Sequence, residues 1–177
     1  MDIKHYLLIA AVLLTAIACR ETPKEDAVRE AISSYLVNEI GKDYLQGEIC
    51  IPVIMTVAQE QNGKSSRVFG DFWVEWYNQQ GDTLKSVSGG NHSGCMTIEE
   101  KEGVPVVTSF EQTVDGAGND ESARRIFGSH YDAFHDIHSH QAVRDANRKE
   151  AIRDYCKRNG LDVSYYQDYG WPAVDIR

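Results

Sequence analysis

An α+β fold built on a central sheet is what the apolar pattern of this chain predicts, and three observations carry it. From Arg67 to Asp115 run β-rich stretches separated by turn residues. On either side, apolar residues recur at the three- and four-residue spacing of helices. The chain closes on YYQDYGWPAVDI, too aromatic for a disordered end. The expected order is an N-terminal helix, a four- to five-stranded antiparallel meander, two C-terminal helices and a docked aromatic tail.

The first residues predict export. Lys4 precedes Tyr6 to Ala18, an uncharged, largely apolar run of 13 residues. Spanning a bilayer takes ~20, so the run reads as a secretory signal. Ala16 and Ala18 then precede Cys19, and TAIAC resembles the lipobox of bacterial lipoproteins, with Ala16 where that pattern has Leu. The resemblance implies cleavage before Cys19, acylation of its thiol and a membrane partner reached through lipid. Two or more acyl chains anchor stably where one does not. The alternative is an ordinary signal peptide with Cys19 left as a thiol. Glu21 follows Arg20, with no Asp there, which by the same resemblance implies the outer membrane, its periplasmic face or the cell surface. The expected boundaries are a signal peptide over 1–18, a tether over 19–22 and one α+β domain over 23–177.

Removal of 18 residues from 177 leaves 159, enough for one domain with a core. Asp2 and Lys4 cancel, so the mature chain keeps the net charge of −9. Such a chain gains nothing from counterion release and is expected to bind no nucleic acid. No motif calls for a cofactor. Past Cys19 there are three cysteines, Cys50, Cys95 and Cys156, which allow one disulfide at most. Cys50 with Cys95, both in expected strands, is one reading; three buried reduced thiols is the other.

Thr22, Pro23 and Glu25 form a capping box with proline at the first helical position. Val28, Ala31, Ile32, Tyr35, Leu36 and Ile40 then predict a helix to about Tyr44. Ile49 to Gln59 alternates as a strand, and Pro52 marks it as an edge or a bulge. Arg67 to Asn78 puts Val68, Phe72, Val74 and Trp76 on one face, and Phe69, Asp71, Trp73, Glu75 and Tyr77 on the other. Gly81-Asp82 turns it into Thr83 to Ser88; SGGNHSG is expected to interrupt the pattern before Cys95 to Glu100 resumes it. Val104 to Val114 is the last strand of the meander. A helix marked by Ile126, Phe127, Tyr131, Phe134 and Ile137 follows, with Gly128 as a break, and another runs from about His140 to an Asn159-Gly160 cap. Tyr165, Tyr166, Tyr169 and Trp171 are expected to dock on the domain.

A helix followed by a curved antiparallel sheet resembles the cystatin-like and nuclear-transport-factor-like cones. More closely, GDFW, GDTL, SGGNHSG, SARRIFG with YDAF, and YQDYGW resemble a family of secreted bacterial lipoproteins to which no activity is assigned. The likeness covers Phe69 to Trp171 and brings no catalytic residue with it.

Three stretches carry polar chemistry. Asp71, Trp73, Glu75 and Tyr77 share a face and are candidates to bind a sugar, an amine or a peptide; their carboxylates also suit glycoside hydrolysis. The bland reading is a solvated sheet face. His92, in SGGNHSGC, is a further ligand-binding candidate, although the string lacks the nucleophile-elbow pattern. Asp132, His135 and His138 are spaced to share a zinc ion on one helix face, against a merely solvated helix side. Three functional readings remain: an envelope binding module for a small molecule, glycan, peptide or partner protein; a hydrolase using the Asp71/Glu75 face or the His130–His140 cluster; and a purely structural partner in an envelope complex, which an exposed apolar patch near the first helix would favour.

Overall fold

A computed structural model describes residues 23–177; the expected signal peptide, Cys19 and the expected tether lie outside the described residues. The fold is α+β. Helix α1 spans Pro23–Tyr35 and buries Val28 and Ile32, followed by Leu36 and Ile40 beyond its end. A stripe repeated every four residues drifts round an α-helix of 3.6 residues per turn. The chain corrects the drift with a π-turn over Leu36–Ile40, in which Gly41 N–H bonds to the Leu36 carbonyl. Full burial of Ile32 and Leu36 stabilises by roughly 1.5–3 kcal/mol each.

Strands β1 (Ile49–Asn62), β2 (Ser65–Gln80), β3 (Thr83–Lys101) and β4 (Val104–Gln112) form the antiparallel meander. Each hairpin turns on two residues. Gly63 (φ 60°) and Gly81 (φ 62°) open the first two turns, and Glu102 (φ 53°) with Gly103 (φ 83°) makes the third, the left-handed geometry that two-residue hairpins require. Strand β1 lies at the edge, as Pro52 predicts.

The SGGNHSG stretch does not interrupt the sheet: β3 runs unbroken for 19 residues. Its glycines are there because the sheet leaves no room for a side chain. A Cβ on Gly89 would lie 2.2 Å from the Val74 carbonyl and 2.6 Å from the Glu75 carboxylate, and one on Gly94 would lie 2.1 Å from the Glu111 carbonyl. A bulge beside Trp76 and Tyr77 shifts the β3 register, so that Ser86 faces Tyr77 and Leu84 points into the core behind it.

Helices α2 (Asn119–Phe127), α3 (Tyr131–Ser139) and α4 (Gln141–Arg158) follow, with Gly128 (φ 53°) separating the first two. The tail adds β5 (Tyr165–Gln167), parallel to the start of β3, and β6 (Val174–Asp175), antiparallel to β5. Tyr166 is buried, but Tyr169 and Trp171 are 97% and 71% exposed. The expectation that all four tail aromatics dock is corrected: the turn that separates β5 from β6 holds the last two outside.

Both sheet faces are covered. On one, α1 packs with Ile54, Val68, Phe72, Val74 and Met96. On the other lie two separate apolar clusters: Phe69 and Cys95 with α2 and α3, and Ile51, Tyr77 and Leu84 with α4 and the tail. Among the described residues, Cys50, Cys95 and Cys156 are free and buried, one in each cluster, so the reading of three reduced thiols holds and the Cys50–Cys95 pairing is corrected. Cys50 and Cys95 sit on opposite faces with β2 between their strands. Burial pushes the Cys50 thiol up to about 12, which leaves it protonated and inert at neutral pH.

Gly89→Ala tests the tight approach of β3 to β2. Overpacking of this kind destabilises by about 1–3 kcal/mol, read as a fall in Tm of roughly 2–4 °C per kcal/mol. An unchanged Tm would show that the two strands part without strain.

Candidate functional site

Between the two apolar clusters on the α2–α4 face runs a band of polar side chains. Alternation along β2 sends Asp71, Trp73 and Glu75 into it, with Phe69 and Tyr77 closing it at either end. From β3 come Ser93 opposite Asp71, Asn91 opposite Trp73, and Gly89 opposite Glu75. Helices α3 and α4 lie over it, so this face is covered; it is not a solvated surface.

Asp71 is 0% exposed. Ser93 Oγ donates to its Oδ1 at 2.7 Å, Asn91 Nδ2 donates to the same oxygen, and His138 Nδ1 donates to Oδ2 at 3.3 Å. Burial works to raise this carboxyl, and the donors from His138, Asn91 and Ser93 outweigh it, holding it below the usual carboxylate range. Glu75 accepts from Ser86 Oγ, yet burial wins there and raises its carboxyl despite Arg148 nearby. The two carboxylates sit four strand residues apart, roughly 13 Å at 3.3 Å per residue. Each is held by different partners, so they do not form the close pair that glycoside hydrolysis needs. Ser93 gives its hydroxyl to Asp71, whose lowered pKa makes its carboxylate a weak base that activates the hydroxyl poorly.

Arg144, Arg148, Ile152 and Cys156 recur every four residues along α4 and form its sheet-facing stripe. Arg148 donates to both Asp168 oxygens at 2.6 and 2.7 Å and to the Tyr77 hydroxyl at 3.0 and 3.2 Å, and it lies over the Tyr166 ring. One guanidinium thus ties α4 to β2 and to the tail. Burial opposes its charge, and Asp168 and Tyr77 restore it, so it stays a cation.

Above Trp73 the covering opens into a cleft of about 730 Å³. Val53 and Trp73 line it from the sheet, Arg144, Arg148 and Lys149 from α4, and Trp171, Pro172 and Val174 from the tail. Trp171 N–H bonds to the Asp168 carbonyl at 3.1 Å across a turn with Gly170 at φ 77°, the conformation a type II turn reserves for glycine. The indole is therefore presented on a fixed backbone. Among the described residues, two buried side-chain polar atoms lack a hydrogen-bond partner: Trp73 Nε1 and Arg144 Nε. Each such orphan costs about 1–3 kcal/mol.

His92 does not join Asp71, Trp73, Glu75 and Tyr77. It points to the α1 face, where Tyr44 Oη meets its Nε2 at 2.8 Å and Gln112 Oε1 meets its Nδ1 at 2.7 Å. Since a carbonyl oxygen only accepts, Nδ1 carries the proton and Tyr44 donates to Nε2. The zinc grouping is also corrected: His138 stacks on Phe134 and turns to Asp71, whereas Asp132 and His135 are exposed. No group of three or more metal-capable side chains converges among the described residues. Cys19, the expected lipidation site, lies outside them.

Comparison with known proteins returns no matching family model, curated protein or solved structure.

Two substitutions test the band. A carboxyl with a lowered folded pKa contributes stability that is complete above its unfolded value of about 3.9 and is lost as pH falls through the folded one. Asp71→Asn is expected to destabilise at pH 7 by about 1.5–3 kcal/mol, with the gap to wild type closing toward pH 2 in urea titrations; a gap independent of pH would contradict the assignment. Arg148→Lys keeps the charge but loses the fork. It is expected to cost about 2–3 kcal/mol, below the roughly 3–5 of a fully buried pair because Asp168 is 37% exposed, and to speed hydrogen exchange in residues 165–175. Unaltered exchange there would show that the tail is held by other contacts.

Proposed function

We propose that this chain is a lipid-anchored binding module of a bacterial envelope, and that a small molecule, or a small piece of a glycan or peptide, binds in the cleft between Trp73, α4 and the tail. The observation that carries the reading is the cleft itself. Its volume falls in the range of ligand sites, about 300–1,000 Å³, and aromatic and aliphatic walls meet a few placed cations there. An exposed tryptophan on a rigid turn is a binding feature, since its conformational freedom is limited before the ligand arrives. The carboxylates and the serine of the polar band are engaged with their own neighbours, which favours recognition over chemistry. The lipobox at Cys19 and the absence, among the described residues, of a helix long and apolar enough to cross a membrane are consistent with attachment by acyl chains.

A second surface favours a protein partner as an additional ligand. A shallow groove lies between α1 and β4, where Val104 and Val106 are 60% and 36% exposed.

A calorimetric screen of envelope metabolites, sugars and short peptides tests the cleft. A ligand that binds wild type is expected to lose about tenfold or more in affinity on Trp171→Ala and to be unaffected by Val104→Ala. Equal affinity in Trp171→Ala would place the site elsewhere.

A further inference from the structure

The chemical class of ligand can be read from which groups around the cleft lack partners. Both orphaned atoms, Trp73 Nε1 and Arg144 Nε, are hydrogen-bond donors, and both belong to side chains that line the cleft. The guanidinium of Arg144 lies over the Trp73 ring at 5.9 Å from its centroid, at the outer edge of cation–π range. Both orphaned atoms are shielded from solvent, so an acceptor that parts the two side chains would satisfy both N–H groups. Neither Arg144 nor Lys149 forms a close ion pair among the described residues, although Lys149 acts on the Asp175 carboxylate from farther off, whereas Asp168 is held by Arg148. Three cations against the carboxylates of Asp145 and Asp168 leave the lining with a charge of +1, in a chain whose net charge is −9. Asp71 and Glu75, whose charge pointed toward an amine or a sugar, are turned to Asn91, Ser93 and Ser86 and do not line the cleft.

We propose that the cleft takes a small organic anion, a carboxylate joined to a flat or aliphatic apolar body. The carboxylate accepts from Trp73 Nε1 and from the Arg144 guanidinium, and the apolar body packs against Val53 and Trp171. Fork geometry suits arginine to a carboxylate, and an indole N–H beside it excludes a ligand that can only donate. The assignment rests on the cleft being the binding site, and the test separates the two claims.

Benzoate, indole-3-acetate and hexanoate are titrated into the full chain by calorimetry at pH 7, each beside its carboxamide and a matched primary amine. The acids are expected to bind, the amides to bind about tenfold or more weakly, and the amines to give no binding. Arg144→Gln is expected to bring the acids down to the amides' affinity with the amides little changed, and Trp73→Phe to weaken acids and amides alike, since an amide carbonyl also accepts from the indole N–H. Should Arg144→Gln fold poorly, Arg144→Lys, which keeps the charge and loses the fork, is expected to weaken the acids while they still bind tighter than the amides. Amides or amines that bind as tightly as acids, or acid affinity that survives in the folded variants, would overturn the anion assignment and leave the cleft standing as an apolar site. If no probe of any charge binds wild type, both the assignment and the cleft reading fall.

Discussion

A carboxylate shut away from water has to be met by donors on the spot, and Asp71 is that carboxylate here. Strand β3 supplies two of its partners, through Ser93 and Asn91, and α3 supplies the third through His138. Without them, burial of the charge would cost several kcal/mol. The requirement fixes more than one side chain. It holds α3 over the sheet at a set position and divides the apolar covering of that face into two clusters.

The division is what creates a cleft. A sheet face covered by one continuous apolar layer would close as a core. Here the Phe69 and Tyr77 clusters stand at opposite ends of β2 with Asp71, Trp73 and Glu75 between them. The helical cover crosses this band with arginines where a continuous core would place aliphatic residues. Arg148 is spent on Asp168 and Tyr77, pinning the tail, and the tail in turn sets Trp171 at the rim. Arg144, one turn earlier, has no such partner. Two arginines four residues apart thus differ: one is a structural tie, and the other, left without a partner, is the group proposed for recognition.

Much of this was legible in the residues. The alternation of β2, the edge position of β1, the Gly128 break and the Asn159-Gly160 end of α4 all follow from local pattern, because each depends on near neighbours alone. What depends on distant packing was not legible. The glycines of SGGNHSG look like a loop, and only the neighbouring strand shows that they are needed for close approach. His92 sits among the polar residues of that stretch but belongs to the other sheet face, which the pairing register decides. Arg144 and Arg148 belong to no motif that the sequence offers. Their signal was available all the same, since Ile152 and Cys156 continue the same four-residue line into the core. Tyr169 and Trp171 show the converse, aromatic residues expected to dock that the tail's turn holds at the surface.

The central claim, that the sheet face opens to a ligand at Trp73, is tested most directly by the indole N–H resonances of Trp73, Trp76 and Trp171, assigned by single Trp→Phe variants. In a titration with a bound carboxylate, the Trp73 signal is expected to move downfield as its orphaned N–H gains an acceptor. The Trp76 signal, whose N–H already bonds to the Gly41 carbonyl at 2.9 Å, is expected to stay in place. A Trp73 resonance that remains still while the ligand binds would contradict the account.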